Sequence, residues 1–294
     1  RVLVGLSGGK DSLTLLHCLL EVRRTAPVKF TVAAATVDPQ AAGYDPFALR
    51  AYAASLGVEY HVLEQPVMER AKAHMDPKSS SICSWCSRMK RGALYKCMRE
   101  NGYNVLALGQ HLDDIAESFM MSAFFNGTLR TMKAHYWAEG SGVQVRVIRP
   151  LVYVRESSTA EFAREAELPI IPENCPACFT APKERHNTKL LLSSLEFEHK
   201  DLFGRLLSTV TPLLDLTTSD NPFEGGLSRR RGGSGAQRPA PTTPAAIAAA
   251  TAAPAGAAAS GASDRPAPTC QRDLGLIAVG AALGAALSVA ALRL

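Results

Sequence analysis

The chain opens on a short apolar run, Val2, Leu3, Val4 and Leu6, which gives way to the polar segment Ser7-Gly8-Gly9-Lys10-Asp11-Ser12. Leu13, Leu15, Leu16, Leu19 and Leu20 then follow at helical spacing, so the pattern predicts strand, tight glycine turn and helix. The alternation recurs downstream. Residues 30–37 read as a second buried strand ending at Asp38. Asp45-Pro46 supplies an N-cap and a proline at N1 for a helix that runs through Leu56 and stops at Gly57, and 58–63 is a third strand. A helix starting near Cys83 continues through Leu94, Tyr95 and Met98 to Asn101, with Gly102 past its end. Residues 105–108 form a fourth strand, 115–125 a helix ending near Asn126-Gly127, and 144–149 a fifth strand. Ser158-Thr159-Ala160-Glu161 has the form of a capping box before a short helix over 162–166, and 183–203 is helical in period throughout. Strands alternating with helices predict an α/β fold: a Rossmann-like parallel sheet with helices on both faces and functional loops at the carboxyl ends of the strands.

The periodic text ends near residue 216, which divides the chain into a folded domain (1–216), a low-complexity linker (217–273) and an apolar end (274–292). The linker is rich in Ala, Pro, Gly and Ser, carries Arg229-Arg230-Arg231, and lacks the apolar residues to build a core. Residues 274–292 contain no charge, stand between Asp273 and Arg293, and are long enough to cross a hydrocarbon core of roughly 30 Å. They read either as a tail-anchored membrane helix or as a soluble alanine-rich end, and Gly280 and Gly284 form a GxxxG match through which a homodimer could pack. The expected compartment is cytoplasmic, with an organellar or membrane-anchored location as the alternative. The chain begins without Met, inside its first strand, as expected of a fragment or processed product. A net charge of +5 is too modest to establish a nucleic-acid partner by itself. Seven cysteines, an odd number with four of them in two CxxC pairs, point to a reducing compartment and to metal or redox chemistry rather than a disulfide framework.

Chemistry concentrates at a few turns. In Ser7–Ser12 the amides of Gly8 and Gly9 can close on an anion at the positive end of a helix, while Ser7 and Ser12 add hydroxyls and Lys10 a mobile charge. The natural guest is a polyphosphate, but the spacing is not that of a Walker A loop. Asp38, at the end of the second strand, is either a solvated carboxylate or a contact to ATP or Mg²⁺. Gly109-Gln110-His111-Leu112-Asp113-Asp114 follows the fourth strand, where the two aspartates can hold Mg²⁺ on ATP or cap a helix. Cys83 and Cys86 precede Arg88, Lys90 and Arg91, a positive neighbourhood that lowers thiol pKa values. With Cys175 and Cys178 they suit zinc or an iron–sulfur cluster equally, and the long separation from Cys86 to Cys175 requires a site assembled by the fold. Cys18 and Cys97 read as core. The basic residues between Lys183 and Lys200 form a solvated face or track a phosphate backbone.

Ser-Gly-Gly-Lys-Asp-Ser resembles the PP-loop of the N-type ATP pyrophosphatases, which cleave ATP between the α and β phosphates. Together with CSWCSRMKRG, GQHLDD, VIRPLVYVRE and the PIIP segment before the last CxxC, it makes residues 1 to about 195 similar to the bacterial tRNA 2-thiocytidine synthetase family. The resemblance implies ATP and Mg²⁺, with nucleotide contacts from Ser7, Gly8, Gly9, Lys10, Asp11, Ser12, Asp38 and Gly109. It implies a 4Fe-4S cluster on Cys83, Cys86 and Cys178, with Cys175 a further candidate, and catalysis by Asp11, Lys90, Asp113 and Asp114. The implied partners are tRNA and a sulfur donor, either a cysteine desulfurase or sulfide. The implied reaction has the C2 oxygen of a tRNA cytidine attack the α-phosphate, after which sulfur displaces AMP to give 2-thiocytidine. Two departures from the family pattern stand out: the late pair lies two residues further from Ile-Ile-Pro, and Gln110 occupies a position often held by His. Two enzyme alternatives remain, a tRNA 2-thiouridine synthetase of the same superfamily and a cluster-free PP-loop ligase or amidase. A non-catalytic RNA-binding metal module would explain the cysteines but not the loop.

Overall fold

The computed structural model describes residues 1–40, 44–66, 69–70, 82–140, 143–171 and 184–214. Cys175, Cys178, the linker 217–273 and the candidate span 274–292 lie outside these residues, and of Cys83 only the backbone is described. Among the described residues no helix is long and apolar enough to cross a membrane.

Six strands form one sheet in the order β3-β2-β1-β4-β6-β5: β1 (Val2–Gly5), β2 (Val32–Asp38), β3 (Glu59–Glu64), β4 (Val105–Ala107), β5 (His135–Gly140) and β6 (Val143–Ile148). Every neighbouring pair is parallel except β5 with β6. Among the described residues seven α-helices accompany them: α1 (Lys10–Thr25), α2 (Ala48–Ser55), α3 (Ile82–Asn101), α4 (Leu112–Met121), α5 (Glu156–Glu165), α6 (Glu184–Glu198) and α7 (Leu202–Leu214).

Because strand side chains alternate, the run at the start of the chain feeds two cores at once. Val2, Val4 and Leu6 pack with Leu13 and Leu16 of α1, Leu49 of α2 and Ala163 of α5, whereas Leu3 packs with Leu94 and Met98 of α3. The sheet is thus covered on both faces, as the apolar pattern requires. Leu3, Leu13 and Leu16 are fully buried, and each contributes on the order of 1.5–3 kcal/mol by leaving water. A smaller core joins Ile115 and Phe119 of α4 to Val210, Leu213 and Leu214 of α7.

The chain winds outward from β1 to β3, then crosses to the opposite side of β1 to lay down β4. The β1 and β4 loops therefore flank a topological switch point, where the two connections diverge and leave a crevice for a ligand. Ser7–Ser12 and Gly109–Asp114, which lie about a hundred residues apart in sequence, meet there.

Four expectations need correction. The antiparallel edge strand β5 has no counterpart among the strands read from the sequence, since its His-Tyr-Trp-Ala-Glu-Gly sequence is too short and polar at its end to signal a strand. The helix after the fourth strand begins earlier, at Leu112, and closes in a π-helical turn over Ser122–Asn126, with Gly127 at φ +62°. α5 starts at Glu156 rather than at the Ser158 capping box, because the Asp113 carboxylate accepts the Glu156 N–H at 2.7 Å and caps the helix from across the site. The long helical segment breaks at His199–Asp201 into α6 and α7, which lets Phe203 and Val210 turn inward.

Candidate active site

The first turn of α1 presents its amides to the crevice. The first intrahelical bond is Leu13 N–H to Gly9 O at 3.2 Å, so the N–H groups of Lys10, Asp11 and Ser12 have no helical acceptor. The turn owes its shape to glycine. Gly8 sits at φ +84°, and a Cβ there would lie 2.9 Å from the Ile171 side chain, whose own N–H bonds the Gly8 carbonyl at 2.9 Å. The segment before the last CxxC is thereby fastened to the phosphate-type loop. The serines brace that loop more than they face outward: Ser12 Oγ donates to Gly9 O at 2.9 Å and accepts from Ser7 N at 3.1 Å, and Ser7 Oγ accepts from Gly9 N at 3.3 Å.

Gly109 occupies the closest approach between the two loops. A Cβ at Gly109 would stand 3.1 Å from backbone atoms of Asp11 and Ser12. Past it, His111 is 4% exposed and sits among three aspartates, with ring nitrogens 3.8 Å from Asp11, 3.8 Å from Asp113 and 3.6 Å from Asp114. Its Nδ1 accepts the Asp114 N–H at 3.3 Å while Asp114 Oδ2 accepts the His111 N–H, a reciprocal cap for α4. An accepting Nδ1 places the neutral ring's proton on Nε2, toward Asp11 and Asp114.

The charges form a chain of pairs. Lys10 Nζ lies 3.0 Å from Asp11 and 3.0 Å from Glu156, and Glu156 in turn holds Lys189 of α6 at 2.6 Å. Asp11 also accepts the Thr159 hydroxyl at 2.5 Å. Asp113 is gripped by the Arg155 guanidinium at 3.1 Å, and the same guanidinium reaches Glu196 at 2.7 Å and lies over the Phe203 ring at 3.5 Å. Asp114 faces Arg185 at 3.4 Å. Burial alone would raise the Glu156 carboxyl, but Lys189 and Lys10 outweigh it and hold the group at about 2. Burial would likewise lower Lys10, yet its bonds to Glu156 and Asp11 leave it raised, so it stays charged. Glu117 has the opposite balance, pushed up chiefly by burial. A cavity of about 290 Å³ opens beside this chain, lined among others by Lys10, Asp113, Arg155, Glu156, Lys189 and Glu196.

Of the expected site residues, the structure brings Ser7 to Ser12, Gly109, Asp113 and Asp114 together. Asp38 stands at the end of β2, its carboxylate accepting the Gln40 N–H at 2.8 Å, and Tyr44 beyond it donates to the Ser7 carbonyl at 3.1 Å. Lys90 lies half-buried on α3, one helical turn after Cys86 and on the same face. Gln110, the departure from the expected His, accepts from Arg149 Nε at 2.9 Å. Arg149 is buried against Tyr136 and donates to the Lys133 carbonyl at 2.7 Å, so a neutral amide there satisfies a guanidinium whose pKa burial lowers. Glu156, Arg155, Lys189, Glu196 and His111 had no assigned role in the sequence reading. The local hints to them were the Arg155-Glu156 pair ending VIRPLVYVRE, His111 within GQHLDD, and Lys189 within the basic 183–200 segment.

The half-buried Cys86 lies in the first turns of α3, with Cys83 three residues before it. Between them Trp85 buries its indole Nε1 with no hydrogen-bond partner among the described residues, while Arg88 lies over its ring at 5.8 Å. An N–H without a partner among the described residues, in the turn that carries Cys83 and Cys86 in sequence and with guanidinium charge adjacent, fits an anionic sulfur-rich group better than a dry core. Among the described residues no group of three or more ligating side chains is assembled, since Cys175, Cys178 and the Cys83 side chain lie outside them.

Comparison with known proteins gives the class of this site first: the PP-loop domain family model matches residues 1–174. A protein of Geobacter sulfurreducens named tRNA-cytidine(32) 2-sulfurtransferase is 41% identical over 221 residues, covering 74% of this chain and 85% of that protein. Proteins of the same name from Pelobacter propionicus and Pseudomonas putida are 37% and 39% identical, covering 82% and 77% of their own lengths. The U34-tRNA thiolase NcsA of Methanococcus maripaludis, solved with its 4Fe-4S cluster, shares the fold at TM-score 0.57 and 24% identity, covering 74% of this chain and 72% of that one. The chain belongs to the PP-loop family and, within it, to the family of the tRNA-cytidine(32) 2-sulfurtransferases.

Proposed function

We propose that this protein is an ATP-dependent tRNA-cytidine 2-sulfurtransferase that adenylates the C2 oxygen of cytidine 32 and replaces it with sulfur. The observation that carries the reading is the convergence of Lys10, Asp11, His111 and Asp114 on the free amides of α1 at the switch point. Those amides and Lys10 receive the phosphates of Mg-ATP. To do so Lys10 exchanges part of its carboxylate pairing for phosphate, and Glu156 keeps Lys189 as its counter-charge.

The chemistry follows from where charge develops. The C2 oxygen forms a bond to the α-phosphorus as the bond to pyrophosphate breaks, and the electron pair leaves with pyrophosphate. The O-adenylated cytosine is cationic, and Asp11 and Asp114 stabilise it at short range. Asp113, held by Arg155 and by the Glu156 amide, is assigned to positioning rather than to the reacting atoms. A hydrosulfide-type nucleophile then bonds to C2, the C2–O bond breaks, and AMP departs with the oxygen. The S–H proton passes to a nearby carboxylate, which we assign to Asp114 with His111 orienting it.

Cys83, Cys86 and Cys178 would hold a 4Fe-4S cluster, which would carry the incoming sulfide for that displacement. Lys90, a turn beyond Cys86, offsets negative charge between the thiolates and the nucleotide. Anaerobically loaded protein given a tRNA transcript with cytidine at position 32, Mg-ATP and sulfide is expected to yield 2-thiocytidine by nucleoside mass spectrometry, and Lys10→Ala to form it about 10²–10³-fold more slowly. Thiouridine as the sole product would assign the chain to the uridine thiolases instead. ATP cleavage without thiolation would return it to the ligases.

A further inference from the structure

The Lys10 ammonium faces two carboxylates, Asp11 Oδ2 and Glu156 Oε1, each at 3.0 Å. Taken alone, that trio carries a net negative charge where a polyphosphate, itself an anion, is to be received. The structure balances it from a different element. Lys189, in the second turn of α6, donates to the other oxygen of the same carboxylate, Glu156 Oε2, at 2.6 Å. Lys10, Asp11, Glu156 and Lys189 together therefore close at zero net charge. The neighbouring carboxylates are held by other cations: Asp113 and Glu196 by Arg155, Asp114 and Glu117 by Arg185. Among the described residues the ion pairs of Glu156 are with these two lysines, and all three side chains line the 290 Å³ cavity.

A carboxylate that bridges two ammonium groups lets one of them leave. When Lys10 turns to a phosphate oxygen, Glu156 stays paired through Lys189. Without Lys189 the same movement strands a carboxylate whose side chain is only 25% exposed, and the cost of stranding it opposes nucleotide binding. The electrostatics agree with the geometry. Burial raises the Glu156 carboxyl, and the pull in the other direction, to about 2, comes from its bonds to Lys189 and Lys10, in that order. Burial would likewise lower Lys189, but Glu156 outweighs it, so the ammonium stays charged.

The alternative is a purely structural role, the pairing of α6 to α5. That helix has other anchors. Leu192 is buried with Leu112, Ala116 and Phe203, and Glu196 reaches Arg155 at 2.7 Å. Lys189 is half-exposed, so its ammonium is not what fills that contact.

We propose that Lys189 is a positioning residue for nucleotide binding: by neutralising Glu156 it frees Lys10 for the phosphates of ATP, without touching them itself. The inference rests on the ATP reading above and adds the residue that sets how available the loop lysine is. It also separates Lys189 from its basic neighbours between 183 and 200, whose pattern in the sequence reads only as a solvated face or a phosphate track.

The test measures binding of an ATP analogue with a methylene bridge between its α and β phosphates. It is read by isothermal calorimetry on the anaerobically loaded full chain, with Mg²⁺ and without tRNA. Lys189→Met keeps the stem and removes the charge. It is expected to bind the analogue about 10- to 100-fold more weakly, the factor that one hydrogen bond to a charged group represents. Lys189→Arg is expected to stay within a few-fold of wild type. The double variant Glu156→Gln, Lys189→Met has no carboxylate to strand, so its affinity is expected to return to within a few-fold of wild type although the bond to α6 is still missing. A structural role, or direct contact of Lys189 with phosphate, predicts instead a double variant as weak as the single one. That result overturns the inference, as does a Lys189→Met protein that binds like wild type or a Lys189→Arg protein as weak as Lys189→Met. If wild-type protein does not bind the analogue at all, the ATP reading itself falls, which separates the two failures.

Discussion

At the carboxyl end of β1, Lys10, Asp11, Asp113 and Glu156 each already hold an opposite charge, whereas at the start of α3 the Trp85 indole N–H holds no partner among the described residues. The two regions solve different problems. The loop region is pre-assembled: its ion pairs and serine braces fix the geometry before any nucleotide arrives, so that binding exchanges one anion for another at Lys10. In the α3 region the Trp85 donor has no acceptor among the described residues, as on a surface whose partner is to be supplied from outside the helix. An enzyme that activates an oxygen and then delivers sulfur needs both kinds of construction, one rigid and charge-balanced, the other open to an anionic group.

The largest expected effect breaks the charge-balanced side. Lys10→Ala removes the cation aimed at the phosphates and should lower the rate of ATP-dependent thiolation by about 10²–10³-fold, with little change in melting because Glu156 retains Lys189. Gly109→Ala attacks the same side through packing. Its Cβ would meet backbone of Asp11 and Ser12 at 3.1 Å, where nothing flexible can yield, and a loss of about 1–3 kcal/mol of stability is expected in chemical denaturation.

Glu156→Gln sharpens the comparison by pH. The wild-type carboxyl is held at about 2 against an ordinary 4.5, so its stabilising pairs are complete above pH 4.5 and are lost as pH falls through about 2. The variant should therefore be less stable than wild type above pH 4.5 and converge with it near pH 2, read from melting across that range. The smallest effect is expected on the open side. Trp85→Phe removes an N–H that bonds nothing within the described protein, so melting of the unloaded chain should change little, whereas the visible absorption and reduction behaviour of the anaerobically loaded protein should shift. An unchanged spectrum would mean that the indole does not face the sulfur-rich group.

How much of this was legible depended on sequence distance. Ser7–Ser12 folds locally, its signals are glycine, lysine and a following leucine period, and it was read in place. The limits of α3 and the stop at Gly57 were read for the same reason, with Gly102 at φ +68° and Gly57 at φ +65° ending their helices. The partner of Lys10 was not legible, because Glu156 lies 146 residues away and only the packing of α5 on α1 brings it to 3.0 Å. The start of α5 was misread for a related reason: a local capping box lost to Asp113, a cap contributed by another element. β5 was missed since its pairing with β6, Trp137 opposite Arg146, depends on a neighbour rather than on its own alternation. The role of Gln110 likewise emerged only when Arg149 was found buried against it.

The central claim is that the oxygen at C2 of the cytidine is made a leaving group by adenylation at the Lys10 loop. It is tested most directly with a tRNA carrying ¹⁸O at C2 of cytidine 32, incubated with the loaded protein, Mg-ATP and sulfide, followed by mass analysis of the nucleotides released. The label is predicted to appear in AMP in step with 2-thiocytidine formation. Recovery of unlabelled AMP, with the label lost to water, would contradict it.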